Sequence, residues 1–566
     1  HVTDIAGNQG FSSLYSLKVD TSTSSALQDY VNAPDSSYHY TLNSTITGSG
    51  FTEYIYDMIS QTWRTTADVN NPVWHHWLQV IVPNGTVSTT ALLLIDSGSN
   101  GPNPPGVNST LAADAVALHT VVVDLPEVPN EPLVFTGDPL HESRTEDEII
   151  AYTFSQYEAT GDPTWPALLP MVKAAVRAMD TTQTVVPTLA AGDHIDHFVV
   201  TGYSKRGWTT WLTTAVDSRV SAIIPGVFDA LNLDEQMIHH YAFYSGIPAG
   251  PTFDDGFSIA IQDYVGFDVP QDMETPAGQA LLKIVDPYDY LTNGRFNIPK
   301  LEINSTGDEF FIPDSAQFYY SDLPGTENYL RYIPNTGHPL NTTDTANSTA
   351  SFYNAIINNL PLPQFSWSVQ PDGSIRVQTA TTPTSVLMWQ ATNPTYRDFR
   401  YDYNSSTPPV YTSSTLTSQG GGVYVASVPT PATGATAFFV QLTFTSPLTG
   451  NPYIFTTEIK VVSSIPLAAW PFTTATNSAV PATMGADLNL VAASFAAPAV
   501  IGPAAASLSP VAVPGVAATP DASGGTPPAT ANDWQSEEDE SEFDAPTAIS
   551  VDAVDLALAD FDDARD

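Results

Sequence analysis

The chain has 566 residues, more than one compact core needs, so several structural units and some unstructured sequence are expected. Its 60 acidic residues against 17 basic ones leave a formal charge of −43, which repels phosphate backbones and excludes nucleic acid as a partner. It has no cysteine, which excludes disulfides and thiolate metal sites, and no apolar run approaches the roughly 20 residues of a membrane span.

Between about residues 72 and 360, apolar runs alternate with amphipathic stretches, a pattern that predicts α/β architecture with a mostly parallel sheet. Strands are expected over 75–83, 90–96, 119–125, 196–202, 220–226, 299–305 and 328–334. The clearest helix is 167–180, where Leu168, Met171, Val172, Ala175 and Met179 keep a helical spacing and mark a core-facing stripe. Residues 232–290 are aromatic-rich and read as a helical cap over the sheet, and 314–323 reads as a further helix. From 363 to 465 the pattern becomes short alternating strands separated by turn signals such as Pro371-Asp372-Gly373, which reads as a small antiparallel β-sandwich of immunoglobulin type. The expected layout is therefore an α/β-hydrolase-like domain over 1–362, a β-domain over 363–465, and an Ala/Pro-rich acidic tail over 466–566 whose composition predicts disorder. The tail carries the cluster Glu537, Glu538, Asp539, Glu540, Glu542 and Asp544, and its end, VDAVDLALADF, has the form of a short amphipathic helix. The β-domain and the tail are the expected contact points for any protein partner.

Asn-X-Ser/Thr sequons at Asn43, Asn84, Asn108, Asn304, Asn341, Asn347 and Asn404 are glycosylation candidates. Together with a first residue, His1, that suits a chain freed of a signal peptide, they lead to the expectation of a secreted or cell-surface glycoprotein.

Nucleophilic acyl transfer needs a hydroxyl exposed on a tight strand-to-helix turn beside a general base and a pair of N–H donors. The segment Phe198-Val199-Val200-Thr201-Gly202-Tyr203-Ser204-Lys205-Arg206-Gly207-Trp208 has that form, with Ser204 at the turn. It departs from Gly-X-Ser-X-Gly, because Arg206 stands two residues after the serine and the glycine comes one later, at Gly207. In an α/β-hydrolase the acid and the histidine follow the serine in chain order, each after a strand. Asp308, after the strand at 299–305, and His338, after 328–334, satisfy that order, and His338 is the only histidine beyond Tyr241. Asp229 and Asn232, after the strand at 220–226, are alternatives for supplying or assisting the acid. The oxyanion donors are expected at the N–H of Lys205 and at Ser97 or Gly98, in the loop after the strand at 90–96. Lys205 and Arg206 are candidates for an anionic substrate group, or Arg206 braces the turn by pairing with Asp217 or Asp229. His194 and His197 with Asp193 and Asp196, and the adjacent His239 and His240, match no recognised metal-ligand spacing, so no metal and no cofactor is expected.

Three strings together resemble the PhoPQ-activated pathogenicity-related proteins: Gly202 to Trp208, Val216-Asp217-Ser218-Arg219-Val220 with Phe228-Asp229-Ala230-Leu231-Asn232, and Gly307-Asp308-Glu309-Phe310-Phe311-Ile312-Pro313-Asp314-Ser315. Trp74-His75-His76, the Ser97 to Asn100 loop and Tyr332-Ile333-Pro334-Asn335 are similar too, so the resemblance spans about residues 10 to 465. That family implies an α/β-hydrolase fold with a C-terminal β-domain, and it includes secreted autocrine proliferation repressors. The elbow is also similar to that of glucuronoyl esterases, where a basic residue follows the nucleophile, as Lys205 does here. The expectation is thus a secreted serine hydrolase acting on an ester or peptide bond through an acyl-enzyme, with Ser204, His338 and Asp308 as the triad. The alternatives are a non-enzymatic signalling or surface protein on the same scaffold, and a carbohydrate esterase.

Overall fold

The computed structural model describes residues 2–3, 9–10 and 25–472 apart from 191, 255, 341, 402–407 and 449. The acidic cluster, the terminal amphipathic segment and the sequons at Asn341 and Asn404 lie outside the described residues.

Strands β1 (His39–Thr47), β2 (Phe51–Thr62) and β3 (Val73–Pro83) form an antiparallel meander. Then come β4 (Thr90–Ile95), β5 (Val122–Leu125), β6 (His197–Tyr203), β7 (Val220–Gly226), β8 (Lys300–Ser305) and β9 (Asn328–Ile333). Each of the expected strands is present, because runs such as Ala91 to Ile95 are buried on both faces, as parallel strands must be. The spatial order is β1-β2-β3-β5-β4-β6-β7-β8-β9, with β3 antiparallel to β5 and every later neighbour in that series parallel. From β2 onward this is the strand order of an α/β-hydrolase.

Helices α1 (Ala26–Asn32), α2 (Ser109–Leu118), α3 (Glu146–Thr160), α4 (Leu168–Leu189) and α5 (Lys205–Val216) pack about this sheet. The stripe predicted on α4 is fully buried at Leu168, Met171, Val172, Ala175 and Met179. Over 232–290 lie α6 (Leu233–Tyr244), α7 (Pro276–Val285) and short turns, the expected cap. The helix expected at 314–323 is instead two 3-10 segments, Ser315–Phe318 and Tyr320–Asp322, since Tyr319 leaves helical geometry to bury its ring and hydroxyl. Helix α8 (Thr343–Ile357) follows β9.

The later strands are β10 (Phe365–Val369), β11 (Ile375–Thr379), β12 (Ser385–Asn393), β13 (Thr412–Thr415), β14 (Val423–Ala426), β15 (Ala435–Phe444), β16 (Tyr453–Thr456) and β17 (Lys460–Ser463). A three-stranded sheet, β10-β11-β14, shares a core with strands β12, β15 and β16, giving two antiparallel layers. The second layer is hydrogen-bonded to the first half of the molecule: β16 pairs with β9 at Thr456 and Leu330, so one 14-stranded sheet runs through both regions.

Candidate functional site

Ser204 sits between β6 and α5 with φ 55° and ψ −126°, a conformation rarely adopted by a residue other than glycine. The space for it comes from its neighbours. A Cβ on Gly202 would lie 2.7 Å from the Arg206 carbonyl oxygen and 2.9 Å from the Arg206 Cβ, and one on Gly207 would lie 2.7 Å from the Gly226 carbonyl oxygen of β7. Gly202 thus makes room for Arg206, and Gly207 lets α5 settle against β7, which is why the motif's second glycine is one position late.

Arg206 and Lys205 are buried, and both side chains turn to α3. The Arg206 guanidinium holds Glu146 in a two-pronged pair, with Nη1 2.7 Å from Oε2, and donates through Nε to the Val128 carbonyl. Lys205 Nζ pairs with Glu146 and lies 3.1 Å from Asp147 Oδ2, to whose other oxygen Tyr264 donates at 2.7 Å. Burial opposes charge on Glu146, but the two cations outweigh it and hold its carboxyl well below the usual range. Glu131 accepts the Glu146 N–H at 2.7 Å and is pushed up to about 8 by burial and by Glu146. The brace expected from Asp217 or Asp229 is therefore supplied by Glu146. Asp217 pairs with Arg219, and Asp229 takes hydroxyls from Tyr319 and Tyr332. Sequence reasoning missed Glu146. Its Thr145-Glu-Asp-Glu148 capping box announces the start of α3, yet nothing local ties it to an arginine 60 positions on.

At the same carboxyl edge of the sheet, the loops after β8 and β9 bring two expected residues together. His338 Nδ1 is 2.9 Å from Asp308 Oδ2 and 3.0 Å from Oδ1, and both residues are buried. Asp308 also accepts the N–H groups of Phe310 at 2.8 Å and Phe311 at 3.1 Å, while the His338 N–H donates to Glu309 at 2.8 Å. Burial alone lowers the imidazole's basicity, but the Asp308 carboxylate, bonded to it, and Glu309 raise the net value above that of free imidazole. Asp229 does not contact the ring. Tyr319 Oη lies 2.6 Å from Asp229 and 2.7 Å from Glu302, and one hydroxyl proton cannot serve both, so one of these buried carboxyls carries a proton. Burial first, then neighbouring carboxylates, raise Asp229 to about 7 and Glu302 to about 8, partly offset by the tyrosine hydrogen bonds.

Ser204 lines a pocket whose walls include Phe154, Trp208, Phe228, Phe310 and Phe311, with Lys205, Asp147 and Tyr264 as its other polar members. The Phe310 ring also packs on His338, with centroids 4.4 Å apart, so a ring that stacks on the imidazole lines the same pocket as the serine. On the neighbouring strand, pairing of Ile95 with Gly202 carries the Ser97 loop alongside Ser204. The Ser97 N–H, however, donates to its neighbour Asp96 at 2.7 Å, which removes it from the expected oxyanion role and leaves Gly98, at φ 115°, as that loop's candidate. The Lys205 N–H opens α5, where helical geometry provides no partner.

The remaining candidates are structural. His239 Nε2 is 2.9 Å from Asp314, His240 accepts the Ser258 N–H, and His194 lies 3.4 Å from Asp196 on the surface. Among the described residues no group of three or more His, Asp or Glu side chains is placed to hold a metal, and no helix is long and apolar enough to cross a membrane.

The model of the PhoPQ-activated pathogenicity-related protein family matches residues 27–400. Autocrine proliferation repressor protein A of Dictyostelium discoideum is 36% identical over 445 residues, which cover 74% of this chain and 85% of that protein. Among solved structures, an acetyl xylan esterase from Paenibacillus sp. R4 is 14% identical with a TM-score of 0.35, and a glucuronoyl esterase from Solibacter usitatus is 12% identical with a TM-score of 0.31. Each alignment covers 55% of this chain and 86% of the other. On the extent of the family match and of the amoebal relative, the chain belongs to the PhoPQ-activated pathogenicity-related protein family.

Proposed function

We propose that the protein is a serine hydrolase that cleaves an ester through an acyl-enzyme. The observation that carries this reading is the Asp308–His338 pair at the ends of β8 and β9, with Ser204 held at positive φ on the elbow after β6. Ser204 Oγ attacks the carbonyl carbon as its proton passes to His338 Nε2, and the carbonyl oxygen takes the negative charge within reach of the Lys205 and Gly98 N–H groups. Collapse breaks the ester bond, and the departing alkoxide takes the proton from Nε2. Water then repeats the sequence on the acyl-enzyme and releases the acid. Asp308 holds the Nδ1–H tautomer and stabilises the imidazolium.

The Glu146 and Asp147 partners of Arg206 and Lys205 leave neither cation free for an anionic group on a substrate. The relative named for autocrine repression of proliferation favours a second reading, signalling by the scaffold without turnover. A fluorophosphonate probe separates the two. Labelling of the wild type that Ser204→Ala abolishes supports the hydrolase, whereas a folded wild type that stays unlabelled overturns it. The same reading places the protein outside the cell with glycans on Asn43 and Asn84, which are exposed. Asn304 is buried within β8 and the Asn108 side chain caps α2, so neither has room for one.

A further inference from the structure

The pocket beside Ser204 is apolar almost throughout, and its aromatic rings form a continuous track. Tyr264 meets Phe154 at 6.5 Å between centroids, Phe154 meets Trp208 at 5.9 Å, Trp208 stacks on Phe228 at 4.9 Å, and Phe228 meets Phe311 at 5.8 Å. Phe310, beside Phe311, carries the track to His338. The cap adds aliphatic walls, among them Met237 and Met273, whose unbranched side chains adapt to an occupant's shape. The pocket's polar side chains offer a ligand little: Asp147, Lys205 and Tyr264 are bound to one another. A sugar or a charged group entering here loses its water and finds few replacement partners, whereas an alkyl or aryl group gains apolar contact along its whole length.

We infer that the pocket receives an apolar acyl group substantially longer than acetyl, so that the substrate is an ester of a hydrophobic carboxylic acid. This rests on Ser204 being the nucleophile. At up to about fourfold per buried methylene, the six methylenes separating octanoyl from acetyl allow a preference of several thousandfold.

The test uses the full chain with p-nitrophenyl acetate and p-nitrophenyl octanoate, which share a leaving group, and with ethyl and octyl fluorophosphonates. We expect kcat/KM to favour octanoate by about 100-fold or more, and the octyl probe to label faster by a similar factor. Met237→Glu, a change at a half-buried wall position, should lower the octanoate-to-acetate ratio at least tenfold, with a thermal melt confirming the fold. Should Ser204 be labelled while acetate matches or exceeds octanoate, the apolar-acyl inference is overturned and the nucleophile stands. If the esters resist cleavage but Ser204 is labelled, the two probes' rates decide in the same way. Absence of both labelling and hydrolysis overturns the nucleophile and this inference together.

Discussion

Ser204, His338 and Asp308 differ in how their geometry is held. Ser204 occupies a costly backbone conformation, of order 1–3 kcal/mol, maintained by the close approach of α5 to β7 at Gly207. The imidazole is instead held by charge: burial favours its neutral form, and Asp308 more than reverses that. A general base must be neutral, and a proton bound more tightly than by free imidazole leaves only at higher pH. The acid limb of kcat/KM against pH should therefore rise through a value above 6.5. In Asp308→Asn the burial contribution remains without the carboxylate, so the limb should move below that of the wild type while the plateau drops by roughly 10³–10⁴-fold. A limb that stays in place in the variant would remove Asp308 from its role. All three residues were legible in the sequence, because each lies just beyond a strongly apolar strand and their chain order is constrained by the fold. The proton shared among Asp229, Tyr319 and Glu302 was not, since it depends on side chains from three separate segments meeting at 2.6–2.7 Å.

At the level of elements, the link between α3 and α5 holds the elbow. Glu146 opens α3 at φ 45° and binds two buried cations from the first turn of α5, so a helix that contributes no expected catalytic group fixes the one that follows Ser204. Glu146→Gln leaves the buried Arg206 without its carboxylate, and breaking one side of a buried pair costs about 3–5 kcal/mol. Chemical denaturation should show a loss of that size, with Asp147 retaining part of the Lys205 interaction. A change under about 0.5 kcal/mol would mean that the pairing contributes nothing to the fold. Reading the sequence, Arg206 had nearer acids at Asp217 and Asp229, but Asp217 is claimed by Arg219 and Asp229 by two tyrosines. Proximity along the chain says little about which of many carboxylates an arginine meets.

Across the whole molecule, the C-terminal strands support the site's loops as well as each other. The Tyr401 N–H donates to the Gly307 carbonyl at 2.8 Å, next to Asp308, and the Asn335 side chain exchanges hydrogen bonds of 3.0 and 2.7 Å with the Tyr411 backbone, three residues before His338. Thr456 Oγ1 accepts the Tyr332 N–H at 3.0 Å, and Phe455 stacks on Tyr329. A chain ended at residue 362 loses all of these and exposes the buried edge of β9, so it should fail to show a cooperative melt. A cooperative melt with phosphonate labelling at the full-length rate would show instead that residues 1–362 fold and hold the site without 363–465. The sequence by itself determined the parallel strands, the elbow and the order of serine, acid and histidine, since hydrophobic periodicity and turn chemistry are written in neighbouring residues. Only the tertiary structure decided that Glu146 braces Arg206, that Ser97 is taken by Asp96, that the pocket is lined by aromatic rings, and that the β-region continues the central sheet. The Ser97–Asp96 contact joins neighbours and depends on how their loop folds; each of the others depends on side chains or strand edges from distant parts of the chain competing for the same few partners, and that competition is settled only when the whole core packs.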